Sequence, residues 1–248
     1  MHSRRAFMAP VLLIVVALLV GACGGGAGPA LTDPDEILTK AVAAMQQAKS
    51  VRLEASVDGT LSADLIGIGK GADMSLAGTT LTADLDLASG NAHVSAGVPA
   101  FVGLTADILV IGSDTYTKAS LTGEKYQKST TSTTDPTDPA VALKEVTDFL
   151  ANPAVSPAKR DDASCGSKSC YQIAISMSAA DLATMMPSDA VGDATVVATI
   201  LIAKDTLYPA SATIVLKGST VGDLTLTVTL KDWDKPVTVS APPADQVE

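Results

Sequence analysis

Residues 33–58 read DPDEILTKAVAAMQQAKSVRLEASVD, and the spacing of the apolar residues changes near residue 50. In the first part they recur every three or four positions, which is the period of an α-helix. These residues are Ile37, Leu38, Ala41, Val42, Met45 and Ala48. Asp33 is a suitable N-cap and Pro34 suits the first helical position. The pattern therefore predicts a helix over about residues 34–49.

From residue 51 the period changes to two. Val51, Leu53, Ala55 and Val57 alternate with polar residues, as in a strand with one buried and one solvated face. The same alternation recurs over 81–87. Further strands are predicted at about 60–68, 91–98, 105–111, 115–119, 125–129, 171–177, 194–203, 210–217 and 221–231. Helix-length crossovers between them are mostly missing. We therefore expect an α+β protein with an antiparallel sheet.

Two shorter helices are predicted after the first set of strands. One covers Ala140 to Asn152, and the other runs from Ala179 to Met186 with Ser178 as its cap. The polar loop 129–139, STTSTTDPTDP, precedes the first of them and is a candidate domain boundary. The strands on each side are too few to bury their faces alone. We therefore favour a single domain over residues 33–248, with this loop as an insertion.

The N-terminus has the features of an export signal. Arg4 and Arg5 precede an apolar run from Phe7 to Val20. The run has about 14 residues, whereas a bilayer span needs about 20. We therefore predict a signal peptide over residues 1–22. The arginine pair resembles a twin-arginine motif and the strong hydrophobicity suits general secretion, so the export route stays open.

Cys23 ends the stretch Val20-Gly21-Ala22-Cys23, which resembles a lipobox. We predict that Cys23 is the lipidated first residue of the mature protein, with palmitate among its acyl chains. Residues 23–32 are rich in glycine and form the predicted flexible tether. The alternative is an uncleaved anchor with an incidental cysteine. The expected location is the extracytoplasmic face of the cell membrane, with the protein held there by lipid.

The composition excludes several classes of function. The chain has 248 residues and a net charge of −10, from 17 Lys and Arg against 27 Asp and Glu, which argues against a nucleic-acid partner. His93 is the only histidine beyond the predicted signal, so His-rich metal sites and the HExxH motif are excluded. The sequence also lacks a Gly-x-Ser-x-Gly elbow. We predict no catalytic residues, no metal and no cofactor, and we expect His93 to be a strand-surface histidine.

Cys165 and Cys170 lie between two predicted strands, in Cys-Gly-Ser-Lys-Ser-Cys. In an exported protein such a pair is most simply a structural disulfide. A redox motif normally has Cys-x-x-Cys spacing, and further metal ligands are missing.

Two other patterns have ordinary structural interpretations. Gly67 to Gly71 departs from the phosphate-loop pattern and is expected to be a turn or bulge. Asp84 with Asp86, and Asp232 with Asp234, are expected to be solvated acids on strand surfaces.

Several short motifs resemble the LppX/LprAFG (LprG-like) lipoprotein family. They begin with the lipobox and the helix 33–49 that leads into Ser50-Val51-Arg52-Leu53. The others are Gly112 to Lys118, Lys125-Tyr126, Asp135-Pro136, Cys170 to Ile173, Asp205 to Pro209 and Asp232 to Val239. The resemblance covers nearly all of the predicted mature chain and is weakest between Ile66 and Pro99.

The resemblance implies a strongly curved antiparallel half-barrel with helices packed over its concave face, similar to the carriers LolA and LolB. It also implies an acyl lipid or lipoglycan ligand in an apolar cavity, carried or presented across the envelope. A membrane transporter is a further candidate partner. The composition is compatible with such a cavity, because a sheet rich in Ala, Val, Leu and Ile and poor in aromatics can leave a dry apolar space.

The candidate cavity-lining residues are the apolar members of the alternating strands. They are Leu53, Val57, Leu81, Leu85, Ile108, Val110, Ile173, Ile175, Ile200, Ile202, Ile214 and Leu216. Alternation alone does not separate ligand contacts from ordinary core. The main alternative function is an anchored scaffold or protein-binding module with a fully packed interior, and an enzyme is the third hypothesis.

Overall fold

The computed structural model describes residues 30–62, 73–101, 103–130, 148–149, 152, 155–184, 192–218 and 222–248. The chain divides into two units, Met1–Leu31 and Thr32–Glu248, and the described helices and strands all belong to the second. The predicted signal peptide, Cys23, residues 24–29 of the tether and the Gly67–Gly71 turn lie outside the described residues. So do most of loop 129–139 and most of the helix predicted over 140–152, of which Asp148 and Phe149 are helical.

Helix α1, Pro34–Gln47, begins where the sequence predicts. The Asp33 carboxylate accepts hydrogen bonds from the backbone N–H groups of Asp35 and Glu36, at 2.9 and 3.5 Å. The apolar stripe buries Ile37 completely and leaves Leu38 only 7% exposed. The helix contacts strand β8 (Pro157–Lys159), so its apolar side is part of the core.

The part of the chain that the structure describes contains thirteen strands, which form a mostly consecutive antiparallel sheet. Their bounds are β1 Ser50–Ser62, β2 Asp73–Ser75, β3 Thr79–Asp86, β4 Asn91–Val98, β5 Leu104–Ile111, β6 Asp114–Ala119, β7 Gln127–Thr130, β8 Pro157–Lys159, β9 Ala163–Cys165, β10 Lys168–Met177, β11 Thr195–Ala203, β12 Pro209–Gly218 and β13 Gly222–Lys231. The order is β7-β6-β5-β4-β3-β1-β13-β12-β11-β10-β8, with β2 on β1 and β9 on β10. The sheet is curved, and it is open because its edge strands β7 and β8 do not pair with each other.

The second described helix, α2, is a single turn over Ala179–Leu182. The predicted cap is present, since Ser178 Oγ accepts from the Asp181 N–H at 3.3 Å and the Asp181 carboxylate accepts from the Ser178 N–H at 2.8 Å. The helix ends at Leu182, four residues before the predicted end. Leu182 packs against the cluster of Val155, Ile175 and Met177, which ties α2 to the β10 end of the sheet.

At the centre of the sheet, the adjacent strands β1 and β13 approach each other closely at two glycines. Gly59 has φ +111°, and a Cβ placed there would lie 2.0 Å from the Asp223 carbonyl oxygen. Gly222 has φ +94°, and its Cβ would lie 2.4 Å from the Thr60 carbonyl oxygen. Beyond Gly59, β1 leaves β3 and pairs with β2. Both positions therefore require glycine, for its backbone conformation and for the missing side chain.

The C-terminal segment crosses to the far edge of the sheet. The Tyr126 N–H donates to the Gln246 carbonyl at 2.8 Å, and the Glu248 N–H donates to the Tyr126 carbonyl at 2.9 Å. Val239 and Val247 pack against a cluster of Leu109, Tyr116 and Tyr126. The last residues of the chain therefore cover apolar side chains that the sheet alone would leave exposed.

Candidate functional site

One face of the sheet collects most of the apolar residues of the long strands. In β1 these are Leu53, Ala55 and Val57, which lie opposite Ala83, Leu81 and Thr79 of β3 and opposite Leu230, Val228 and Leu226 of β13. Residues directly opposite in an antiparallel pair point to the same side of the sheet. Following this register across the sheet defines one continuous surface, which we call the apolar face.

All twelve candidate lining residues lie on the apolar face, because the register connects them strand by strand. The pairs that show this are Leu53–Ala83, Ala55–Leu81, Val51–Leu85, Ala92–Val110, Val94–Ile108, Ile173–Ile200, Ile175–Ala198, Tyr171–Ile202, Ile214–Leu226, Leu216–Leu224 and Val57–Leu226. The structure therefore brings the predicted set together on a single surface.

Burial varies across the apolar face. Ile173, Ile175 and Ile202 on β10 and β11 are at most 1% exposed, and Val110 on β5 is 3% exposed. The other eight candidates are half-buried: Leu53, Val57, Leu81, Leu85, Ile108, Ile200, Ile214 and Leu216. The four buried residues, Ile173, Ile175, Ile202 and Val110, are ordinary core by this measure. The middle of the sheet keeps an apolar surface that the described parts of the protein only partly cover.

The opposite side, which we call the polar face, carries ion pairs and hydroxyl groups. The Arg52 guanidinium binds the Asp84 carboxylate through two nitrogens, at 2.6 and 2.7 Å. Lys231 pairs with Glu54 at 2.5 Å on the neighbouring strand. These residues alternate with the apolar ones along the same strands. The sheet is thus amphipathic, with one face suited to solvent and the other to hydrocarbon.

His93 lies on the polar face, as its alternation predicts, in a hydrogen-bonded group with Asp107 and Ser95. Its Nε2 is 2.6 Å from Asp107 Oδ1 and 3.4 Å from Ser95 Oγ, while Ser95 Oγ donates to the same carboxylate oxygen at 2.9 Å. In a nucleophilic triad the acid and the serine occupy different ring nitrogens. Here both share one nitrogen, so this geometry does not activate Ser95.

Tyr126 completes this group by donating its phenol hydrogen to the other oxygen of Asp107. Burial favours the neutral form of Asp107, but hydrogen bonds with Tyr126, His93 and Ser95 outweigh it and hold the pKa of this carboxyl below its usual range. The same hydrogen bond to Asp107 raises the pKa of Tyr126 to about 12. The network therefore holds the Tyr126 side chain in place, and Val239 and Val247 pack against the cluster that contains it.

We expect Asp107→Asn to return the pKa of Tyr126 from about 12 towards its ordinary value of 10.0, because the charge that opposes phenol ionisation is removed. Tyrosinate absorbance measured against pH checks this. Since the pKa of Asp107 is lowered by folding, its contribution to stability is present above its ordinary value of 3.8 and is lost as the pH falls through the lower folded value. The free energy of unfolding of the variant should therefore fall less than that of wild type as the pH is lowered into the acid range. An unchanged Tyr126 titration would contradict the assignment.

Cys165 and Cys170 form the predicted disulfide within the β9–β10 hairpin, with their Cα atoms 6.0 Å apart. Cys170 is completely buried. The bond joins the short strand β9 to the long strand β10, which is a structural role.

Sequence reasoning missed a corner formed by two distant motifs. Tyr208 and Trp233 stack with ring centroids 4.5 Å apart, and the Trp233 indole N–H donates to the Pro209 carbonyl at 3.0 Å. Asp234 accepts from the Tyr208 hydroxyl at 2.7 Å and from the Lys49 N–H at 2.8 Å. The corner therefore joins the β11–β12 turn to the junction of α1 and β1. The motifs Asp205–Pro209 and Asp232–Val239 were visible in the sequence, but their contact was not.

The four acidic residues expected to be solvated remain accessible to solvent, and each of them also has a specific partner. Asp84 pairs with Arg52, Asp232 pairs with Lys235 at 2.5 Å, and Asp86 accepts from two N–H groups of its own turn. The strand geometry assumed for Asp232 and Asp234 was wrong, because β13 ends at Lys231 and both residues have positive φ. Among the described residues, no group of three or more His, Cys, Asp or Glu is arranged to hold a metal ion.

A cleft of about 510 Å³ lies beside this corner, and its lining includes aromatic and charged residues and Leu230 but none of the twelve candidate lining residues. Its lysines are paired with carboxylates: Lys168 with Asp205 at 2.8 Å, Lys231 with Glu54 and Lys235 with Asp232. The cleft is therefore distinct from the predicted lining.

We expect Tyr208→Phe to lower the free energy of unfolding by roughly 1–2 kcal/mol, because it removes the hydroxyl that donates to the Asp234 carboxylate and keeps the ring stack. Urea unfolding followed by circular dichroism measures the change. Tyr208→Phe in an Asp234→Asn background should cost less than it does alone. Equal losses in both backgrounds would show that the two groups do not interact.

Among the residues that the structure describes, no helix combines the length and the apolarity that a bilayer span requires.

The fold is an open, curved antiparallel sheet with one continuous apolar face. The sequence model of the LppX_LprAFG lipoproteins matches residues 33–239, and the chain belongs to this family. The comparison with curated proteins finds no match.

Two solved structures share the fold. LprF from Mycobacterium bovis aligns with a TM-score of 0.55 and 17% identity, over 84% of this chain and 96% of LprF. The lipoprotein LppX from Mycobacterium tuberculosis aligns with a TM-score of 0.53 and 15% identity, over 83% of this chain and 97% of LppX. The expected family resemblance and the open curved sheet are thereby confirmed.

Proposed function

We propose that this protein is a membrane-anchored envelope lipoprotein that binds an acyl lipid or lipoglycan over its apolar face and carries or presents it across the cell envelope. The observation that supports this is the half-buried apolar surface in the middle of the sheet. Monomeric proteins rarely keep a large contiguous apolar surface without a binding role. The eight half-buried candidates are the proposed lipid contacts, and the four buried ones support the surface from within the core.

The energy of such binding comes from hydrocarbon burial. Each buried methylene contributes about 0.8 kcal/mol, so a palmitoyl-length chain gains roughly 10 kcal/mol when it is largely enclosed. That gain offsets extraction of the chain from a membrane only if most of its length is covered. Transfer between two hydrocarbon environments requires no bond to be made or broken, so the proposed role is non-enzymatic.

Cys23 is the proposed attachment point for the membrane. The proposed organisation is a signal peptide over 1–22, a tether over 23–32 and a lipid-binding domain over 33–248. Metabolic labelling with an alkyne analogue of palmitate tests it: wild type should incorporate the label and Cys23→Ser should not. Equal labelling of the two chains would refute attachment at this residue.

Native mass spectrometry of the Cys23→Ser chain, purified without detergent, tests lipid binding. We expect a bound species heavier by the mass of an acyl lipid, which organic solvent removes. A fluorescent lipid should then bind to the emptied protein. Absence of both the adduct and the uptake would favour the alternative, an anchored scaffold with a packed interior.

A further inference from the structure

The cleft beside Tyr208 and Trp233 lies apart from the proposed lipid contacts. Its volume is about 510 Å³, and none of the eight proposed lipid contacts lines it. Lys231, which does line it, lies opposite Arg52 and so belongs to the polar face. Pockets for small ligands have volumes of roughly 300–1,000 Å³, so this cleft has room for one.

The backbone around the cleft is in an unusual conformation. Among the residues that the structure describes, three residues other than glycine have a positive φ: Leu207 at 60°, Asp232 at 56° and Asp234 at 60°. Asp232 and Asp234 line the cleft, and Leu207 lies between two residues that do, Thr206 and Tyr208. A positive φ is unfavourable, most of all for a residue such as leucine, and such conformations concentrate at ligand sites. Their concentration here favours a binding role for the cleft.

The aromatic wall of the cleft is held in a fixed geometry. Tyr208 and Trp233 stack on each other, the indole N–H donates to the Pro209 carbonyl and the phenol donates to the Asp234 carboxylate. Both aromatic residues are half-buried and both line the cleft, so part of their ring surface is open to it. Since both polar hydrogens of the wall are already donated, the wall offers a ligand mainly flat apolar surface.

The charged groups of the cleft are matched. Each of the three lysines that line it binds a carboxylate, and the pairs are Lys168–Asp205, Lys231–Glu54 and Lys235–Asp232. A charged ligand would have to compete with one of these partners. A hydroxyl group both donates and accepts, so it can bind an ion pair without separating it. A sugar combines the two properties that the cleft requires, because its ring has an apolar face and a rim of hydroxyl groups.

We propose that this cleft binds a neutral glycan. One sugar ring packs against the wall formed by Tyr208 and Trp233, and its hydroxyl groups bind Lys235 and Asp232. The proposal goes beyond the lipid-binding function and does not depend on it, because the cleft and the apolar face share none of the proposed contacts. The protein would then have two ligand sites, one for hydrocarbon and one for carbohydrate.

Tryptophan fluorescence tests the proposal, because Trp233 is the only tryptophan in the chain. The Cys23→Ser chain is titrated with four neutral trisaccharides, maltotriose, cellotriose, mannotriose and chitotriose, and with the anionic trigalacturonate. At least one neutral trisaccharide should change the emission with a Kd of about 1 mM or lower, and trigalacturonate should bind more weakly than it does. No response to any of the four, or trigalacturonate binding at least as tightly as the best of them, would overturn the proposal.

Two variants test whether the glycan binds in this cleft. Trp233→Ala should lower the affinity by about tenfold or more, measured by calorimetry, because a buried tryptophan contact is often the largest contribution to binding. Lys235→Met should weaken binding by about tenfold, the worth of a hydrogen bond to a charged group. The Lys235 side chain is 69% exposed, so its replacement should leave the fold intact.

Lys128→Met is the matched control, because it also breaks an exposed lysine–aspartate pair, with Asp114 at 2.8 Å on the β6–β7 side of the sheet. It should leave the affinity for the trisaccharide unchanged. Full affinity in a folded Trp233→Ala protein, or in Lys235→Met if Trp233→Ala does not fold, would place the glycan elsewhere and overturn the assignment of the cleft.

Discussion

Gly59→Ala is expected to destabilise the protein by roughly 3–5 kcal/mol, which is large enough to prevent folding in a protein of ordinary stability. Two effects add. The backbone at Gly59 has φ +111°, which residues with a side chain rarely adopt, and the new Cβ would lie 2.0 Å from the Asp223 carbonyl oxygen. Since that oxygen belongs to the backbone of β13, the two central strands would have to separate. Urea unfolding followed by circular dichroism measures the loss.

Gly90→Ala is the matched control for this prediction. Gly90 also has a positive φ, +74°, but a Cβ there would meet nothing within 4 Å. It should therefore cost only about 1 kcal/mol, from the backbone conformation alone. Gly222→Ala, which would bring a Cβ within 2.4 Å of the Thr60 carbonyl oxygen, should resemble Gly59→Ala. Similar losses of unfolding free energy at Gly59 and Gly90 would show that β1 and β13 can move apart without cost.

The second large effect is expected at Leu81, which is half-buried on the apolar face between Ala55 and Ala96. Leu81→Asp should lower acyl-lipid binding by about tenfold or more, because a carboxylate placed against hydrocarbon loses its hydration or must take up a proton. The measurement is the displacement of a fluorescent acyl probe from the purified chain, with the circular dichroism spectrum confirming the fold.

Thr80→Asp is the control for Leu81→Asp. It introduces the same charge on the adjacent residue of β3, on the polar face opposite Ser56 and Gly97. We expect lipid binding to remain within about twofold of wild type, since surface substitutions away from the site change little. A folded Leu81→Asp protein that binds lipid as well as Thr80→Asp does would refute the assignment of the apolar face.

The strands that could be predicted are those whose signal is local. Alternation over 51–58 and 81–87 identifies β1 and β3, since period two is a property of each strand alone. It also places Leu53 and Leu81 on the same face before any pairing is known. The three-residue strands β2, β8 and β9 are too short to show a period. The strand predicted from residue 60 proved to begin within β1, which continues through Gly59 to Ser62.

Contacts between distant parts of the chain could not be predicted. Asp234 binds the backbone of Lys49, 185 residues away, and nothing in the sequence around either residue indicates this pairing. Leu109 can lie on the polar face because Val239 and Val247 cover it, and its own strand gives no sign of that cover. The candidate lining was predicted as a set, but the difference between buried Ile173 and half-buried Leu53 depends on which elements pack above each residue.

An unclosed sheet has two lateral rims, and both are poor templates for another chain. One rim is β7, four residues that are all exposed, and the C-terminal segment is hydrogen-bonded just before it, at Tyr126. The other is β8, three residues that start with Pro157, which has no N–H to offer. Short edge strands, and edge strands that contain proline, discourage pairing with a strand of another molecule. Both edges of the open sheet therefore discourage fibril-like self-association.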